Sequence, residues 1–502
     1  MPERKLLMKL DKILQNIEYT VLAGNTDMDI TDIVYDSRKA KEGTAFVCIP
    51  GAQVDGHDYI DSAVEKGTKV IIVEHEVEYA NGITYIQVKD ARIALSLMAA
   101  ELFERPAEKL TVVGLTGTKG KTTTTFMIKS ILENHGIKVG VIGTMGVFMD
   151  GKHIETHNTT PESYDIQMYF SQMVEAGCQV AVMEVSSQAL KLNRTAGIEF
   201  DYGIYTNLSP DHIGENEHAD MDEYIYCKSL LFKQCKHGIY KKDDEHAGDM
   251  MKEATCDKLT YGFGDRADLK GSDVEYLMKP GFIGINMDVE SSSLGIAKTK
   301  VKVNTPGKFS AYNAMAAIAL SKLLEADMEN VKEALERVAV RGRVEPVKIA
   351  DNFNLLIDYA HNAMSLESLL TTIRAYNPKR MVCLFGCGGN RSKLRRYEMG
   401  EISGKYADLS VITADNSRFE DVMDIIEDIK VGMHKTTGKY VVIPDRKEAI
   451  KYCIENAQDG DIVLLCGKGH EDYQEINGER HPFDERVIIS EILEELKDGK
   501  DN

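Results

Sequence analysis

The sequence predicts an α/β protein of three domains built on largely parallel sheets. Two observations carry this prediction. Short apolar runs typical of buried strands alternate with helical segments, and a Gly/Lys/Thr loop stands between one such strand and a helix. The strand–helix alternation starts anew twice along the 502 residues. We therefore expect domains at 1–106, 107–340 and 341–502.

The first segment predicts a small α/β domain. Residues 43–50 and 69–73 are strand-like, whereas residues 60–66 and 91–103 have helical patterns. Pro106 falls in the expected linker to the next domain.

The middle segment predicts a doubly wound sheet. Residues 110–115 form a continuous apolar run, as expected for a central parallel strand, and residues 123–135 favour a helix. Further strand-like runs follow at 139–142, 180–183 and 202–205. Alternating strands and helices of this kind are typical of nucleotide-binding α/β folds.

The third segment predicts a Rossmann-like domain, because strand-like runs again alternate with helical stretches. The strand-like runs are residues 355–358, 381–385, 409–412, 440–443 and 462–466.

Composition excludes several classes of protein. The formal net charge is −20, which argues against a nucleic-acid partner because phosphate backbones are bound by basic surfaces. The nine cysteines include no CxxC pair, so a zinc ribbon or a disulfide framework is not expected. No run approaches the roughly 20 apolar residues that span a bilayer. We expect a cytoplasmic protein without membrane insertion.

Residues 117–123, Gly-Thr-Lys-Gly-Lys-Thr-Thr, form a predicted phosphate-binding loop. Its glycines let backbone N–H groups face phosphate oxygens, and the following helix N-terminus adds positive potential. Lys121 can reach terminal phosphates, while Thr122 can offer its hydroxyl to Mg²⁺. Leu115 stands where the general Walker pattern has a glycine, so the loop is of a shorter type.

This short loop and an ordered series of motifs resemble the Mur ligase family. The motifs include Asn158–Pro161, Met183–Ser187, Thr206–Ser209 with Asp211 and His212, and Tyr226–Lys228; the later ones are Asn313, Gly342–Glu345, Asp358–His361, Gly386–Gly389, Asp415–Arg418 and Gly467–Gln474. They cover nearly the whole chain. The last two favour the member that adds the third residue of the peptide to UDP-N-acetylmuramoyl-L-alanyl-D-glutamate.

The resemblance implies an ATP-dependent amide ligase of peptidoglycan synthesis. A substrate carboxylate would be activated as an acyl-phosphate and then attacked by the amine of an amino acid. ATP would be a co-substrate and Mg²⁺ a cofactor, held by Thr122, Glu184, His212 and Lys228, the last as a CO₂-derived carbamate. Lys121 would complete the catalytic set. An unmodified helix-face lysine is the alternative for Lys228, a solvated charge for Glu184 and a structural hydrogen-bonding residue for His212.

The resemblance also implies which residues contact ATP and which contact the UDP-linked substrate. The residues expected to contact ATP are Gly117, Thr118, Lys119, Gly120, Lys121, Thr122, Thr123, Asn207, Asn313, Arg343, Asp358, Tyr359 and Lys393. Those expected to contact the UDP-linked substrate are Tyr35, Ser37, Ala52, Gln53, Val54, Asn158, Thr159, Thr160, Ser186 and Arg194. Arg194 could pair with a substrate carboxylate. Arg343 follows a hinge-like Arg-Gly pair, so closure could bring it to ATP.

The amino acid added is expected to be meso-diaminopimelate, with L-lysine as the alternative. Diaminopimelate carries a distal carboxylate that a planar guanidinium can bind with two hydrogen bonds, and lysine lacks it. The expected donor-binding residues are Arg391, Asp415, Asn416, Ser417, Arg418, Gly467 and Glu471. Ser417 stands where the family's Asp-Asn-Pro-Arg segment has proline, which removes a restraint on that turn.

Two other classes of function compete with the ligase. A non-catalytic nucleotide-binding relative would be expected to lack Lys121, Glu184 or Lys228, and all three are present. A plain phosphate-loop kinase leaves the third segment unexplained. The expected partners are small molecules only, and we expect a monomer.

Overall fold

A computed structural model of the chain describes residues 7–51, 54–210, 213–214, 217–279 and 281–498. The chain forms two compact units. The first unit contains residues 1–269 and 316–327, and the second contains residues 270–315 and 328–502.

The first unit begins with a small sheet whose strands run in the order β2-β7-β6-β5-β4. Strand β2 is antiparallel to β7, and the other neighbours are parallel. Apolar side chains on both faces of the sheet are buried against helices, as expected for parallel strands. The elements are β1 (Met8–Lys9), α1 (Leu10–Ile13), β2 (Tyr19–Ala23), β3 (Asp29–Ile30), β4 (Asp32–Val34), β5 (Thr44–Val47), α2 (Ile60–Glu65), β6 (Val70–Val73), β7 (Thr84–Val88) and α3 (Ala91–Leu102), with 3₁₀ helices at Ser37–Lys39 and Gly56–Tyr59.

The same unit continues into eight strands in the order β11-β10-β9-β12-β8-β13-β14-β15. The six from β9 to β15 in that order are parallel. Strand β8 lies between β12 and β13, and five of its six residues are buried. The elements are β8 (Thr111–Thr116), α4 (Lys121–Asn134), β9 (Val139–Gly143), β10 (Gly146–Met149), β11 (Lys152–Ile154), α5 (Ser163–Glu175), β12 (Val180–Glu184), α6 (Ser187–Lys191), β13 (Phe200–Tyr205), α7 (Met221–Ser229), β14 (Cys235–Lys241), α8 (Ala247–Met250) and β15 (Asp257–Gly262), with 3₁₀ helices at Pro106–Lys109 and Leu230–Lys233.

The second unit combines an antiparallel strand group with a largely parallel sheet. Strand β17 pairs with β16 and β18 in antiparallel register, and a separate sheet runs in the order β19-β20-β24-β21-β22-β23. Residues 316–323 of helix α9 are counted with the first unit. The elements from residue 269 onward are β16 (Leu269–Lys279), β17 (Phe282–Ser291), β18 (Ile296–Val303), α9 (Lys308–Leu323), α10 (Met328–Arg337), β19 (Glu345–Val347), β20 (Asn354–Asp358), α11 (Ala363–Arg374), β21 (Arg380–Phe385), α12 (Lys393–Tyr406), β22 (Leu409–Ile412), α13 (Val422–Met433), β23 (Tyr440–Val442), α14 (Arg446–Glu455), β24 (Asp461–Cys466), β25 (Tyr473–Ile476), β26 (Glu479–Pro482) and α15 (Glu485–Asp498).

The structure confirms the predicted α/β class and every strand-like run named above. The helix predicted at 123–135 runs from Lys121 to Asn134, so it begins directly after the glycine loop. The sequence interpretation missed the antiparallel strands β16 to β18 and the hairpin β25–β26. In the described part of the chain, no helix is long and apolar enough to cross a membrane.

Candidate active site

The phosphate loop lies between the buried strand β8 and the N-terminus of helix α4. Gly117 has φ of +144°, and a Cβ atom there would lie 2.1 Å from Thr206 Oγ1, so only glycine fits. Gly120 has φ of +85° and is the residue before α4. The loop therefore lies at the positive end of a 14-residue helix, which is a favourable place for an anion.

Residues 206–209 hold the loop from the side through hydrogen bonds to its backbone. The amide of Asn207 accepts from Lys119 N at 3.0 Å and donates to Lys119 O at 2.8 Å. The Thr118 hydroxyl donates to Ser209 O at 3.1 Å. Asn207 and Thr118, both predicted to contact ATP, thus shape the loop in this structure.

Two lysines meet at one carbonyl of the loop. Lys121 Nζ donates to Gly117 O at 2.7 Å, and Lys228 Nζ donates to the same oxygen at 3.1 Å. Lys228 is only 2% exposed and lies over the ring of Tyr224 at 4.5 Å. The structure thus brings together two predicted catalytic lysines, and the Lys228 side chain is buried.

Glu184 ends strand β12 as a buried carboxylate. Its two oxygens accept from Thr144 N and Thr144 Oγ1, each at 3.1 Å. The alternative of a solvated charge is therefore wrong. Thr122, the second residue of α4, is also buried, whereas Thr123 is half-buried. A carboxylate and a hydroxyl are the hard oxygen ligands that Mg²⁺ prefers, so these residues fit that ion.

The residues predicted for the UDP-linked substrate are anchored by neighbouring loops of the first unit. The Thr160 hydroxyl donates to Glu184 O at 2.9 Å and accepts from Ser186 N at 3.0 Å. Thr159 Oγ1 lies 3.1 Å from Thr144 Oγ1, which in turn contacts Glu184. Thr160 is thus hydrogen-bonded to Glu184 directly, and Thr159 is linked to the Glu184 carboxylate through Thr144. Asn158 lies in the same segment, residues 155–162.

Arg194 is already paired in this structure. Its guanidinium lies 3.3 Å from Glu162 and donates to Thr160 O at 3.0 Å. Arg92, which the sequence analysis did not select, lies 3.3 Å from the same Glu162 carboxylate. A substrate carboxylate at Arg194 would have to share the guanidinium with Glu162.

The earlier part of the same set lies in the segments that follow strands β4 and β5 of the small sheet. The Tyr35 hydroxyl donates to Asp165 at 2.7 Å, and burial together with this carboxylate raises the pKa of Tyr35 well above its usual range. Ser37 is buried and Val54 is exposed. Three predicted residues lie outside the described part of the chain: Ala52, Gln53 and His212.

In the second unit, two of the residues predicted for ATP leave polar atoms unsatisfied. Asn313 Nδ2 and Arg343 Nε are buried without a hydrogen-bond partner among the described residues. Buried donors of this kind cost free energy unless a ligand or water meets them, so they fit a nucleotide. Lys393 is exposed and lies 3.3 Å from Asp428.

Asp358 and Tyr359 have partners within the unit. The Asp358 carboxylate accepts from Val344 N and Ala360 N, each at 2.8 Å, and burial raises its pKa. Asp358 thus shapes the loop around Arg343. The ring of Tyr359 lies 5.3 Å from the Arg343 guanidinium, and burial raises the pKa of Tyr359 to about 12.

Three loops that follow strands β21, β22 and β24 form a second group of predicted residues, here called the three-loop cluster (residues 386–391, 415–418 and 467–471). These strands are neighbours and run parallel, so their carboxyl ends lie at one edge of the sheet, where α/β proteins bind ligands. A Cβ atom at Gly388 would lie 3.6 Å from Arg418 Nη1 and 3.7 Å from Arg391 Cγ. The Arg418 guanidinium and the aliphatic part of the Arg391 side chain thus both lie beside Gly388.

The hairpin β25–β26 fixes the backbone of Arg418. Arg418 N donates to Glu475 O at 2.9 Å, and Arg418 O accepts from Asn477 N at 2.6 Å. Its side chain donates to Glu475 Oε2 at 3.0 Å and to Gly389 O at 2.8 Å. Arg418 has φ of +52°, and the adjacent Ser417 is buried. The hairpin therefore supplies restraints on a turn in which serine replaces proline.

The remaining cluster residues are tied together by Lys468, which the sequence analysis did not select. Lys468 Nζ donates to Asn416 Oδ1 at 2.6 Å and to Glu471 Oε2 at 3.1 Å, and lies 3.2 Å from Asp415 Oδ1. The backbone N–H of Gly467 donates to Asp358 O at 3.0 Å. Lys468 lies within the motif Gly467–Gln474, and this motif was the sequence signal that could have identified Lys468 as a site residue.

Three family models match the chain in order. The "Mur ligase family, catalytic domain" covers residues 29–102, the "Mur ligase middle domain" covers 115–321, and the "Mur ligase, glutamate ligase domain" covers 342–469.

The chain is also similar over its full length to curated relatives. It is 41% identical to the UDP-N-acetylmuramoyl-L-alanyl-D-glutamate–2,6-diaminopimelate ligase 1 of Clostridium acetobutylicum, covering 97% of this chain and 100% of the relative. It is 40% identical to the corresponding ligase of Caldanaerobacter subterraneus subsp. tengcongensis, covering 97% and 99%. A solved structure of a ligase with the same name superposes with a TM-score of 0.72 at 27% identity, covering 98% of this chain and 99% of that one.

Proposed function

The chain belongs to the Mur ligase family, and we propose that it is the ATP-dependent ligase that joins 2,6-diaminopimelate to UDP-N-acetylmuramoyl-L-alanyl-D-glutamate in peptidoglycan synthesis. The observation that carries the choice of amino acid is the Arg418 guanidinium, which lies beside Gly388 at the carboxyl ends of β21 and β22. The relatives that match over the full length carry the same activity in their names.

The proposed reaction has two steps. A carboxylate oxygen of the D-glutamate attacks the γ-phosphorus of ATP, the bond to the β–γ bridging oxygen breaks, and ADP leaves. The amine of diaminopimelate then attacks the acyl-phosphate carbonyl and loses a proton, and phosphate leaves as the amide forms. Lys121 would offset the negative charge of the reacting phosphate, and its position in the phosphate loop at the N-terminus of α4 supports this role.

We assign Mg²⁺ to the buried oxygen ligands at the end of β12 and the start of α4, namely Glu184 and Thr122. His212 and Lys228, the latter as a carbamate formed with CO₂, would complete the ligands. When bound, Mg²⁺ neutralises charge on the phosphate oxygens. The burial of Lys228 supports the carbamate, because a buried ammonium is costly and a neutral amine is the form that reacts with CO₂.

The UDP-linked substrate is assigned to the first unit and the adenosine part of ATP to the second. The anchoring of Thr159 and Thr160 around Glu184 supports the first assignment, since these residues would place the activated carboxylate near the phosphate loop. The unsatisfied donors of Asn313 and Arg343 support the second.

For the amine donor, we propose that Arg418 and Arg391 bind the distal carboxylate of meso-diaminopimelate and that Glu471 accepts from its ammonium. L-lysine lacks that carboxylate and would leave the Arg418 guanidinium facing an ammonium, which is unfavourable.

We further propose domains at 1–106, 107–340 and 341–502 and a cytoplasmic monomer that acts on small molecules only. ATP and nucleotide-linked precursors are cytoplasmic metabolites, which supports this location.

The test is to incubate the protein with ATP, Mg²⁺ and UDP-N-acetylmuramoyl-L-alanyl-D-glutamate, and to add each amino acid separately. Phosphate release and product mass should report an amide only with diaminopimelate. Product with lysine alone would overturn the donor assignment. No product with any amino acid would favour a non-catalytic nucleotide-binding relative.

A further inference from the structure

Lys468 is a fully buried lysine at the centre of the three-loop cluster. Its side chain is 0% exposed, and its ammonium lies within 3.2 Å of oxygens of Asp415, Asn416 and Glu471. An ammonium has three protons, so these three acceptors account for its whole donor capacity. It has none to offer to a ligand.

All three acceptors belong to the donor-binding set, and Asn416 and Glu471 are linked to each other as well. The Asn416 amide oxygen also accepts from Glu475 N at 3.0 Å, so two donors hold that oxygen and orient the amide. The amide nitrogen then donates to Glu471 Oε2 at 3.0 Å. Lys468 therefore fixes the orientation of the amide and, with Asn416, holds one oxygen of the Glu471 carboxylate.

The other oxygen of Glu471 faces a different direction. Glu471 Oε1 lies 3.5 Å from the Tyr359 hydroxyl, which is a long contact. Because Oε2 is held by Lys468 and Asn416, Oε1 is the oxygen with capacity for a further donor. An ammonium of the incoming amino acid is a donor of that kind.

The charged side chains linked to Lys468 and Arg446 include one carboxylate more than cations. Lys468 and Arg446 face Asp415 and Glu485, and Arg446 Nη2 lies 2.8 Å from Glu485. These four charges balance. Glu471 adds a further negative charge, and its side chain is the most exposed of the acidic partners. The excess charge is thus at the residue proposed to meet an ammonium.

From this geometry we propose that Lys468 is a positioning residue for the amine donor, acting through Asn416 and Glu471. The proposal rests on the proposed ligase function. A purely structural role would instead make Lys468 equally important for every step and every substrate.

The two roles differ in their effect on the first step, which needs no amine. Scrambling of ¹⁸O between bridging and non-bridging positions of ATP, measured with the UDP-linked substrate and without diaminopimelate, reports reversible acyl-phosphate formation. For Lys468→Met we expect this scrambling within about twofold of the unmodified protein, and a KM for diaminopimelate raised by at least about tenfold. The KM values for ATP and the UDP-linked substrate should change by less than about twofold.

Lys447→Met is the matched control, because Lys447 is a lysine of the same unit that pairs with Glu491 at the surface. Thermal unfolding of all variants is followed in parallel. Lys468→Arg serves as a second variant, since it keeps the buried charge but replaces a compact ammonium with a planar fork. We expect it to fold and to raise the KM for diaminopimelate alone.

The outcomes separate the inference from the function on which it rests. An equal loss of scrambling and of diaminopimelate-dependent turnover in folded Lys468 variants would overturn the positioning role. Failure of both variants to fold would also overturn it, since Lys468 would then be a folding residue. An unmodified protein without scrambling or amide product would instead refute the proposed function.

Discussion

The phosphate loop and the three-loop cluster both lie at the carboxyl ends of parallel strands, but different interactions hold them. The loop is seven contiguous residues held by hydrogen bonds between backbone groups and Thr206–Ser209. The cluster collects residues from three loops, and the buried Lys468 holds two of them together through Asp415 and Glu471. Substitutions in the loop should therefore affect activity with little effect on stability, whereas substitutions in the cluster should affect both.

The largest expected effect is the loss of activity in Lys121→Ala. The Lys121 ammonium is half-buried beside Gly117 O, where it can meet the transferred phosphate. Removing one preorganised charge of this kind lowers kcat by about 10³-fold. Steady-state phosphate release measures this loss, and urea unfolding should show a change of less than about 1 kcal/mol.

Lys129→Ala is the control for this exchange, because Lys129 lies on the same helix and pairs with Glu133. It should keep the activity of the unmodified protein. A large loss of stability in Lys121→Ala would contradict the proposed difference between the two regions.

In contrast to Lys121→Ala, the Asp415→Asn exchange should strongly lower the free energy of unfolding. Burial alone would raise the pKa of Asp415, but Lys468 and Arg446 hold it below its ordinary value. Removing one member of a buried charge network typically costs about 3 kcal/mol of unfolding free energy. Urea unfolding of the variant measures the loss, with the exposed Asp459→Asn as the control.

The difference in unfolding free energy between the unmodified protein and Asp415→Asn should also depend on pH. A carboxyl whose folded pKa lies below its unfolded value stabilises the fold above the unfolded pKa, and this contribution is lost as pH falls through the folded pKa. The difference between Asp415→Asn and the unmodified protein should therefore be full at neutral pH and shrink on acidification. A difference that grew in acid would contradict the ionised state of Asp415.

The difference between the phosphate loop and the three-loop cluster also explains which of the two could be predicted from the sequence. The strand before Gly117, the glycines and the helix after them are contiguous, so local pattern was sufficient for the phosphate loop. Lys468 and Glu475 gain their roles only when β24 and the hairpin lie beside the loop after β22, which spacing alone does not reveal. The Asn477-Gly478 pair, in which both residues have positive φ, was a hairpin signal that the sequence interpretation did not use.

Arg418→Ala should weaken diaminopimelate binding by about 10²-fold, because truncating one partner of a hydrogen-bonded charge pair costs about 3 kcal/mol. The KM for diaminopimelate measures this, and its preference over lysine should fall by a similar factor. Arg374→Ala is the control, because Arg374 is a partly exposed arginine that pairs with Asp408. An unchanged preference would show that Arg418 does not read the distal carboxylate.

The smallest expected effect is in Glu475→Gln, and its sign distinguishes two roles of Glu475. Its carboxylate accepts from Arg418 Nε at 3.0 Å, so it could orient the guanidinium or compete with the substrate carboxylate for it. Arg418 is also held by Glu475 O, Asn477 N and Gly389 O, and these bonds survive the exchange.

In Glu475→Gln the orientation of the Arg418 guanidinium should therefore persist, while the repulsion between Glu475 and the substrate carboxylate is removed. Both side chains are partly exposed, which limits the gain to about 0.5–1 kcal/mol, or a KM for diaminopimelate lowered about two- to fourfold. The effect should diminish at high salt. Glu479→Gln, on the exposed strand β26, is the control. A raised KM would instead mean that the Glu475 charge, and not the backbone of the hairpin, holds Arg418 in place.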